Sequence, residues 1–131
     1  MHAKSKGTNA ERELIHLFWS HEWAAIRTAG SGSNHYPSPD IIAGNAIRKV
    51  ALECKVTKEI KQYLTKKEVD ELQEYARRFG AESWIAVKFD RVNWFFVPAS
   101  ELECAGESFV LRLEDAKLKG LQFDELIGNN A

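Results

Sequence analysis

Hydrophobic positions along the chain change period several times, and each change marks an element. Ala10, Leu14, Ile15, Leu17 and Phe18 recur at helical spacing. Thr8-Asn9-Ala10-Glu11 has the form of a capping box, with Thr8 as N-cap and Glu11 at the third helical position, so a first helix is predicted from there to about Glu22. Trp23 to Thr28 reads as a short strand, and Ala29 to Ser38, rich in Gly and Ser and containing Pro37, reads as a loop. Asp40-Ile41-Ile42-Ala43 predicts a second strand, turned by Gly44-Asn45. From Lys49 to Thr57 the alternation is strictest: Val50, Leu52, Cys54 and Val56 share one face, and Ala51, Glu53, Lys55 and Thr57 the other. Lys58 to Leu64 is polar and reads as a loop. Thr65-Lys66-Lys67-Glu68 is a second capping box, opening a helix with Val69, Leu72, Ala76 and Phe79 on its apolar face and Gly80 at its end. Ser83 to Phe89 and Val92 to Val97 read as strands joined by a tight turn at Asp90-Arg91. Beyond them a weaker pattern predicts an edge strand at Phe109 to Leu113 and a short helix at Leu121 to Ile127.

Helix, three strands, helix, two strands and a small tail make an α/β fold, a mixed central sheet flanked by helices. At 131 residues, with no repeat, low-complexity segment or linker, the chain is expected to form one domain, 1–131. No apolar run reaches membrane-spanning length, and the basic start Met1 to Lys6 is followed by no apolar stretch. Cys54 and Cys104 are too few for a disulfide framework or a zinc site. The expectation is a reduced, cytoplasmic protein with no membrane partner. Net charge is −1, but the acids are unevenly placed. Residues 1–100 carry 15 Lys and Arg against 12 Asp and Glu, whereas from about 101 an acidic tail carries 3 against 7. A run, Lys55, Lys58, Lys61, Lys66 and Lys67, and the pair Arg77-Arg78 concentrate the positive charge. Affinity for DNA depends on where cations meet phosphates, not on the net value.

The candidate chemistry sits on the strict strand. Glu53 and Lys55, one residue apart, leave the same face, and the Gly44-Asn45 turn folds their strand back along the one that Asp40 opens. Pro39 biases the direction in which Asp40 enters that strand. Two carboxylates brought together repel unless a cation lies between them, and a hard divalent ion, Mg²⁺ or Mn²⁺, takes oxygen ligands and keeps sites for water and phosphate. Glu11 falls inside the apolar arc of its helix, faces the sheet, and is a third candidate acid. Lys55 suits a role on the attacking water or the scissile phosphate. Arg12 and Arg27 are candidate phosphate clamps, and Ser31 and Ser33 lie in the loop that would close over a substrate backbone. The four histidines form no metal signature.

Ser38-Pro39-Asp40 followed by Glu53-Cys54-Lys55 resembles the PD-(D/E)xK nuclease motif. With Lys6-Gly7, Glu11-Arg12-Glu13-Leu14, Arg27-Thr28-Ala29-Gly30-Ser31 and Pro39 to Ala43, the chain resembles the archaeal Holliday junction resolvases of the Hjc type over most of residues 4 to 90. The resemblance implies a restriction-endonuclease-like fold and a homodimer that makes paired, Mg²⁺-dependent nicks in four-way DNA junctions. It implies Glu11, Asp40 and Glu53 as metal-site acids and Lys55 as the catalytic lysine. Lys6, Arg12, Arg27, Ser31 and Ser33 are the candidate DNA-binding or supporting residues. Val92 to Val97 is apolar on both strand faces, so Trp94 and Phe96, with Leu72 and Phe79, are candidates for a dimer interface. Two other readings are a related PD-(D/E)xK nuclease of repair or restriction type and a non-catalytic junction-binding module.

Overall fold

A computed structural model describes residues 3–28 and 36–128, the first four of these by backbone alone. The elements are α1 (Ala3–Ser20), β1 (Ala24–Arg27), β2 (Ile41–Gly44), β3 (Lys49–Thr57), β4 (Lys61–Thr65), α2 (Lys66–Phe79), β5 (Glu82–Phe89), β6 (Trp94–Pro98), β7 (Glu103–Ala105), β8 (Ser108–Arg112), α3 (Leu113–Lys119) and α4 (Phe123–Leu126). The main sheet has the order β1-β2-β3-β5-β6. Only β3 and β5 run parallel, and the crossover between them contains β4 and α2. A second sheet, β4-β8-β7, stands beside it.

Alternation along β3 decides what lies on each side of the main sheet. Val50, Leu52 and Cys54 enter a cluster with Leu14 and Phe18 of α1, Trp94 and Phe96 of β6, and Leu126 of α4. Ala51 enters the opposite cluster with Val69, Leu72 and Ala76 of α2, Phe95 and Val97 of β6, and Ala116 of α3. Both faces of β6 are therefore covered by the chain's own helices. Its open edge is partly closed as well, because Phe96 and Leu121 exchange two backbone hydrogen bonds of 2.8 Å.

This corrects three of the four expected interface residues. Leu72, Trp94 and Phe96 are 1%, 5% and 0% exposed within one chain, so they have no surface to offer a second copy. Phe79 alone of the four remains exposed, at 46%. Three other expectations also change. The first helix starts at Ala3, so Thr8 lies inside α1 and is not its N-cap. Lys58 to Leu64 is not all loop, because β4 pairs with β8. Phe109 to Leu113 is not an edge: β8 is the middle strand of its sheet. The acidic segment beyond 101 is folded through Gly128, with Val110, Leu111, Ala116 and Leu126 buried. The second capping box is present: Thr65 and Glu68 each bond the other's backbone N–H, and Gly80 ends α2 at φ 79°.

No helix is long and apolar enough to cross a membrane among the described residues, and both cysteines are free thiols. If Phe96 belongs to the chain's own core, Phe96→Ala should lower the unfolding free energy by about 3–5 kcal/mol. Denaturant titration followed by circular dichroism measures this, and a loss below about 1 kcal/mol would contradict the packing described.

Candidate active site

Glu53 and Lys55 leave β3 on the α2 side, opposite Leu52 and Cys54. β2 runs antiparallel beside β3 with Ile41 opposite Leu52, so Asp40, one residue before β2, comes level with Glu53. Two backbone links fix Asp40 there. Its N–H donates to the Leu52 carbonyl, and its Oδ2 accepts from the Cys54 N–H, both at 2.8 Å. Upstream, the Thr28 N–H donates to the Asp40 carbonyl at 2.9 Å, and the Thr28 hydroxyl donates to the carbonyl of the buried Pro39. The Pro39-Asp40 step is thus tied to strands on either side.

The Asp40 and Glu53 carboxyls are within hydrogen-bond contact of each other, with the protonated Glu53 donating. Lys55 Nζ lies 4.0 Å from Glu53 Oε2 and 2.5 Å from Glu68 Oε2. Glu68 divides its oxygens: Oε2 holds Lys55, while Oε1 accepts the Thr65 N–H at 2.9 Å and closes the helix cap. The sequence shows Glu68 only as a capping residue. Its second role depends on β4 returning the chain beside β3, which local pattern does not reveal.

Burial and like charge dominate the electrostatics. Burial pushes Glu53 up to about 8, and the neighbouring Asp40 charge adds to it. Burial also raises Asp40, against the Cys54 N–H bond and the Lys55 charge. Burial pulls Lys55 down, but its bond to Glu68 and the surrounding carboxylates outweigh this and leave it raised, so it stays a cation. Burial raises Glu68, but its bonds to Lys55 and Thr65 prevail and leave it lowered. Cys54, enclosed behind the site, has its thiol raised well above the ordinary value by burial.

Glu11 stands on α1, the opposite side of the sheet from Glu53 and Lys55, with 17% of its side chain exposed. It accepts from Arg27 Nε at 2.8 Å, and Arg27 Nη2 also reaches the Thr8 hydroxyl at 3.4 Å. Burial raises the Glu11 carboxyl, Arg27 opposes this, and Asp40 adds to it. Glu11 therefore senses Asp40 electrostatically but is held by Arg27. Among the described residues no group of three or more His, Cys, Asp and Glu is arranged to hold a metal ion. Arg12 is exposed and forms no ion pair among the described residues. Ser31, Ser33 and the side chain of Lys6 lie outside the described residues.

A family model for the archaeal Holliday junction resolvases (Hjc) matches residues 2–131. The chain belongs to that family. Crossover junction endodeoxyribonuclease Hjc of Archaeoglobus fulgidus is 43% identical over 132 aligned residues, covering 95% of this chain and 97% of the relative. Its namesake from Methanocaldococcus jannaschii is 32% identical, covering 97% and 90%. A solved structure of Archaeoglobus fulgidus Hjc, described as a Holliday junction resolvase from an archaeal hyperthermophile, matches with a TM-score of 0.88 at 41% identity. That match covers 93% of this chain and all of the solved one. The fold of this archaeal resolvase-family member is accordingly restriction-endonuclease-like, with its mixed five-stranded sheet between helices.

The raised Glu53 has a consequence for stability in the absence of metal. A carboxyl near 8 in the folded chain and near 4.5 when unfolded binds its proton more tightly when folded. That contribution is complete below about pH 4.5 and is lost as pH rises through about 8. Metal-free wild type should therefore lose stability over this window relative to Glu53→Gln, which has no proton to lose. Denaturant midpoints in EDTA at both ends of the window test this, and parallel pH dependences of the two proteins would refute the shift.

Proposed function

We propose that this chain resolves four-way DNA junctions by paired, metal-dependent hydrolytic nicks, acting as a homodimer. Membership of the archaeal resolvase family supports the substrate, and the contact between the half-buried Asp40 and Glu53 carboxyls carries the mechanism. Two acids whose joint ionisation is opposed by burial and mutual repulsion would suit a divalent cation, whose charge would offset both. Mg²⁺ commonly takes one or two carboxylates and fills its other positions with water and phosphate oxygen, so the pair suffices without a three-acid cage. Asp40 and Glu53 would hold it, and Glu11 would reach it through water; Mn²⁺ offers the same ligand chemistry. Bound there, the ion supplies a more acidic water and a polarised phosphate.

The protein's own groups do the remaining work. Lys55, kept protonated and held by Glu68, offsets charge on the scissile phosphate and orients the attacking water; a raised lysine is poorly suited to act as the base. Thr28 and the Leu52 and Cys54 backbone hold Asp40 before substrate arrives. The roles given to Arg12, Arg27, Ser31, Ser33 and Lys6 are contacts to DNA phosphates, which position the substrate without reading its bases.

Asp40→Ala and Glu53→Ala should each reduce junction cleavage by at least about a hundredfold while leaving junction affinity within a few-fold. EDTA should do the same to wild type. Cleavage and gel-shift assays on a labelled junction, beside linear duplex, measure this. Wild-type rates in either variant would remove the site, and equal cutting of linear duplex would favour a nuclease of another shape preference.

The dimer surface moves to the outer strands. Beyond the cover of α2, Ile26 on the edge strand β1 is 63% exposed and shares a shallow groove of about 290 Å³ with Ile42 and Phe79. Phe79 also borders a neighbouring groove with Tyr36 and Tyr75. This apolar strip suits a second copy related by a two-fold axis, which would present two sites to two strands. Phe79→Glu and Ile26→Glu should give folded monomers by sedimentation and circular dichroism. They should nick a cruciform plasmid without linearising it. A wild type that linearises the plasmid as a monomer would overturn the pairing.

A further inference from the structure

The run Lys55, Lys58, Lys61, Lys66 and Lys67 is sorted by the fold into three groups. Lys55 is committed to Glu68 and Glu53. Lys66 and Lys67 are answered one helical turn on, by Asp70 at 3.3 Å and Glu71 at 4.0 Å. Lys58 and Lys61 are exposed and form no ion pair among the described residues. They flank Ile60, which is 74% exposed, and Lys61 Nζ lies over the ring of Tyr63, 5.4 Å from its centroid; Tyr63 itself is 49% exposed.

This ridge is held by the backbone rather than left as a loose loop. The Thr57 hydroxyl accepts the Glu59 N–H at 3.0 Å, and the Ile60 carbonyl accepts the Leu113 N–H at 2.8 Å. From Lys61 to Thr65, β4 is paired with β8, so alternation points Lys61 and Tyr63 outward while Leu64 is buried. Lys58, beside the exposed acid Glu59, and Lys61, between the outward Ile60 and Tyr63, leave an ordered, net positive surface with little to lose on binding a polyanion. The ridge also continues the active-site strand. β3 passes from Glu53 through Lys55 to Thr57 and leads directly into Lys58. Lys58 is three residues beyond Lys55, or about 10 Å at strand rise. A contact at Lys58 would therefore fall within a few nucleotides of one at Lys55.

We infer that the Lys58–Tyr63 ridge is a second DNA contact, gripping the backbone of the arm being cut within a few nucleotides of the scissile phosphate. Lys58 and Lys61 take phosphates there, and Ile60 and Tyr63 lie against the sugar edges between them. Tyr63 positions Lys61 through the face of its ring. The inference rests on the chain being a junction nuclease, and the ridge then helps to set where along the arm the cut falls.

The test uses the full-length protein and a synthetic four-way junction whose cleavage positions are first mapped with wild type. Each phosphate contact contributes about 0.9 to the slope of log affinity against log salt, so Lys58→Gln/Lys61→Gln should lower the slope by roughly two. Between ~50 and ~200 mM salt the variant should then lose roughly ten-fold less affinity than wild type does. Binding is measured in EDTA, and circular dichroism melting confirms that both proteins are folded. Neutral methylphosphonate linkages are then placed singly on either side of the cut. One position within a few nucleotides of the cut should weaken wild-type binding and cost Lys58→Gln nothing further. An unchanged slope in a folded double variant, or a methylphosphonate profile that Lys58→Gln leaves intact, would overturn the ridge while wild type still binds and cuts. Failure of wild type to bind or cut the junction would overturn the underlying function as well.

Discussion

Two carboxyl groups pressed together at the edge of an apolar core are the feature around which this molecule is arranged. Asp40 and Glu53 repel when both ionise, and burial strengthens the repulsion, so the scaffold must hold them in place. It does so with backbone. The β2–β3 register sets them level, the Leu52 carbonyl and Cys54 N–H clamp Asp40 from β3, and Thr28 ties the preceding Pro39-Asp40 step to β1. Side-chain contacts alone would yield to the repulsion by rotating a torsion. A strand register yields only if the sheet slips, which would turn every core residue of β3 to the wrong face. The apolar clusters on the two sides of the sheet therefore hold the acidic pair as well as the fold.

The same alternation made much of this visible before any coordinates. Val50, Leu52 and Cys54 are inward in the pattern and inward in the structure, so Glu53 and Lys55 had to share the other face. The Thr65–Glu68 capping box was legible because every atom in it is local. What failed was non-local. Thr8 has the residues of a capping box, but α1 begins at Ala3, so Glu11 is available to Arg27 instead. β4 looked like a polar loop because only one side of it is buried, under a sheet whose other strands arrive some forty residues later. The apolar strand β6 suggested a missing subunit. The pattern could not count the cover supplied by α3 and α4, whose short segments carry little periodicity of their own.

The sheet also divides the candidate site between its two sides. Glu53, Lys55 and Glu68 lie on the α2 side, Glu11 and Arg27 on the α1 side, and Asp40, just outside β2, is the residue that both groups feel. Spacing in the sequence treats Glu11, Asp40 and Glu53 as three equivalent acids. Geometry ranks them: Asp40 and Glu53 touch, while Glu11 is neutralised by a guanidinium before it can join. A divalent cation held there, as proposed, would tolerate such inequality, because water and phosphate can fill positions that carboxylates do not.

A net charge of −1 is poorly informative about such a protein, because many of its cations are already matched. Arg27 pairs with Glu11, Arg48 with Glu82, Lys55 with Glu68, Arg77 and Arg78 with Glu74, and Arg112 with Glu103. Each exposed pair contributes little to stability, but each removes a positive charge from the field a polyanion would meet at close range. What remains matters by position, and beyond the last residue of β3 the next two lysines, Lys58 and Lys61, form no ion pair among the described residues. Of the acids gathered after residue 101, Glu114 lines a groove with Ile60 and Lys61, but Arg112 and Lys117 line it too. Attraction to a phosphate backbone decays within about 10 Å in ordinary salt. The charge that counts is therefore local, and on the Lys58–Tyr63 ridge the exposed Lys58 and Lys61 supply it.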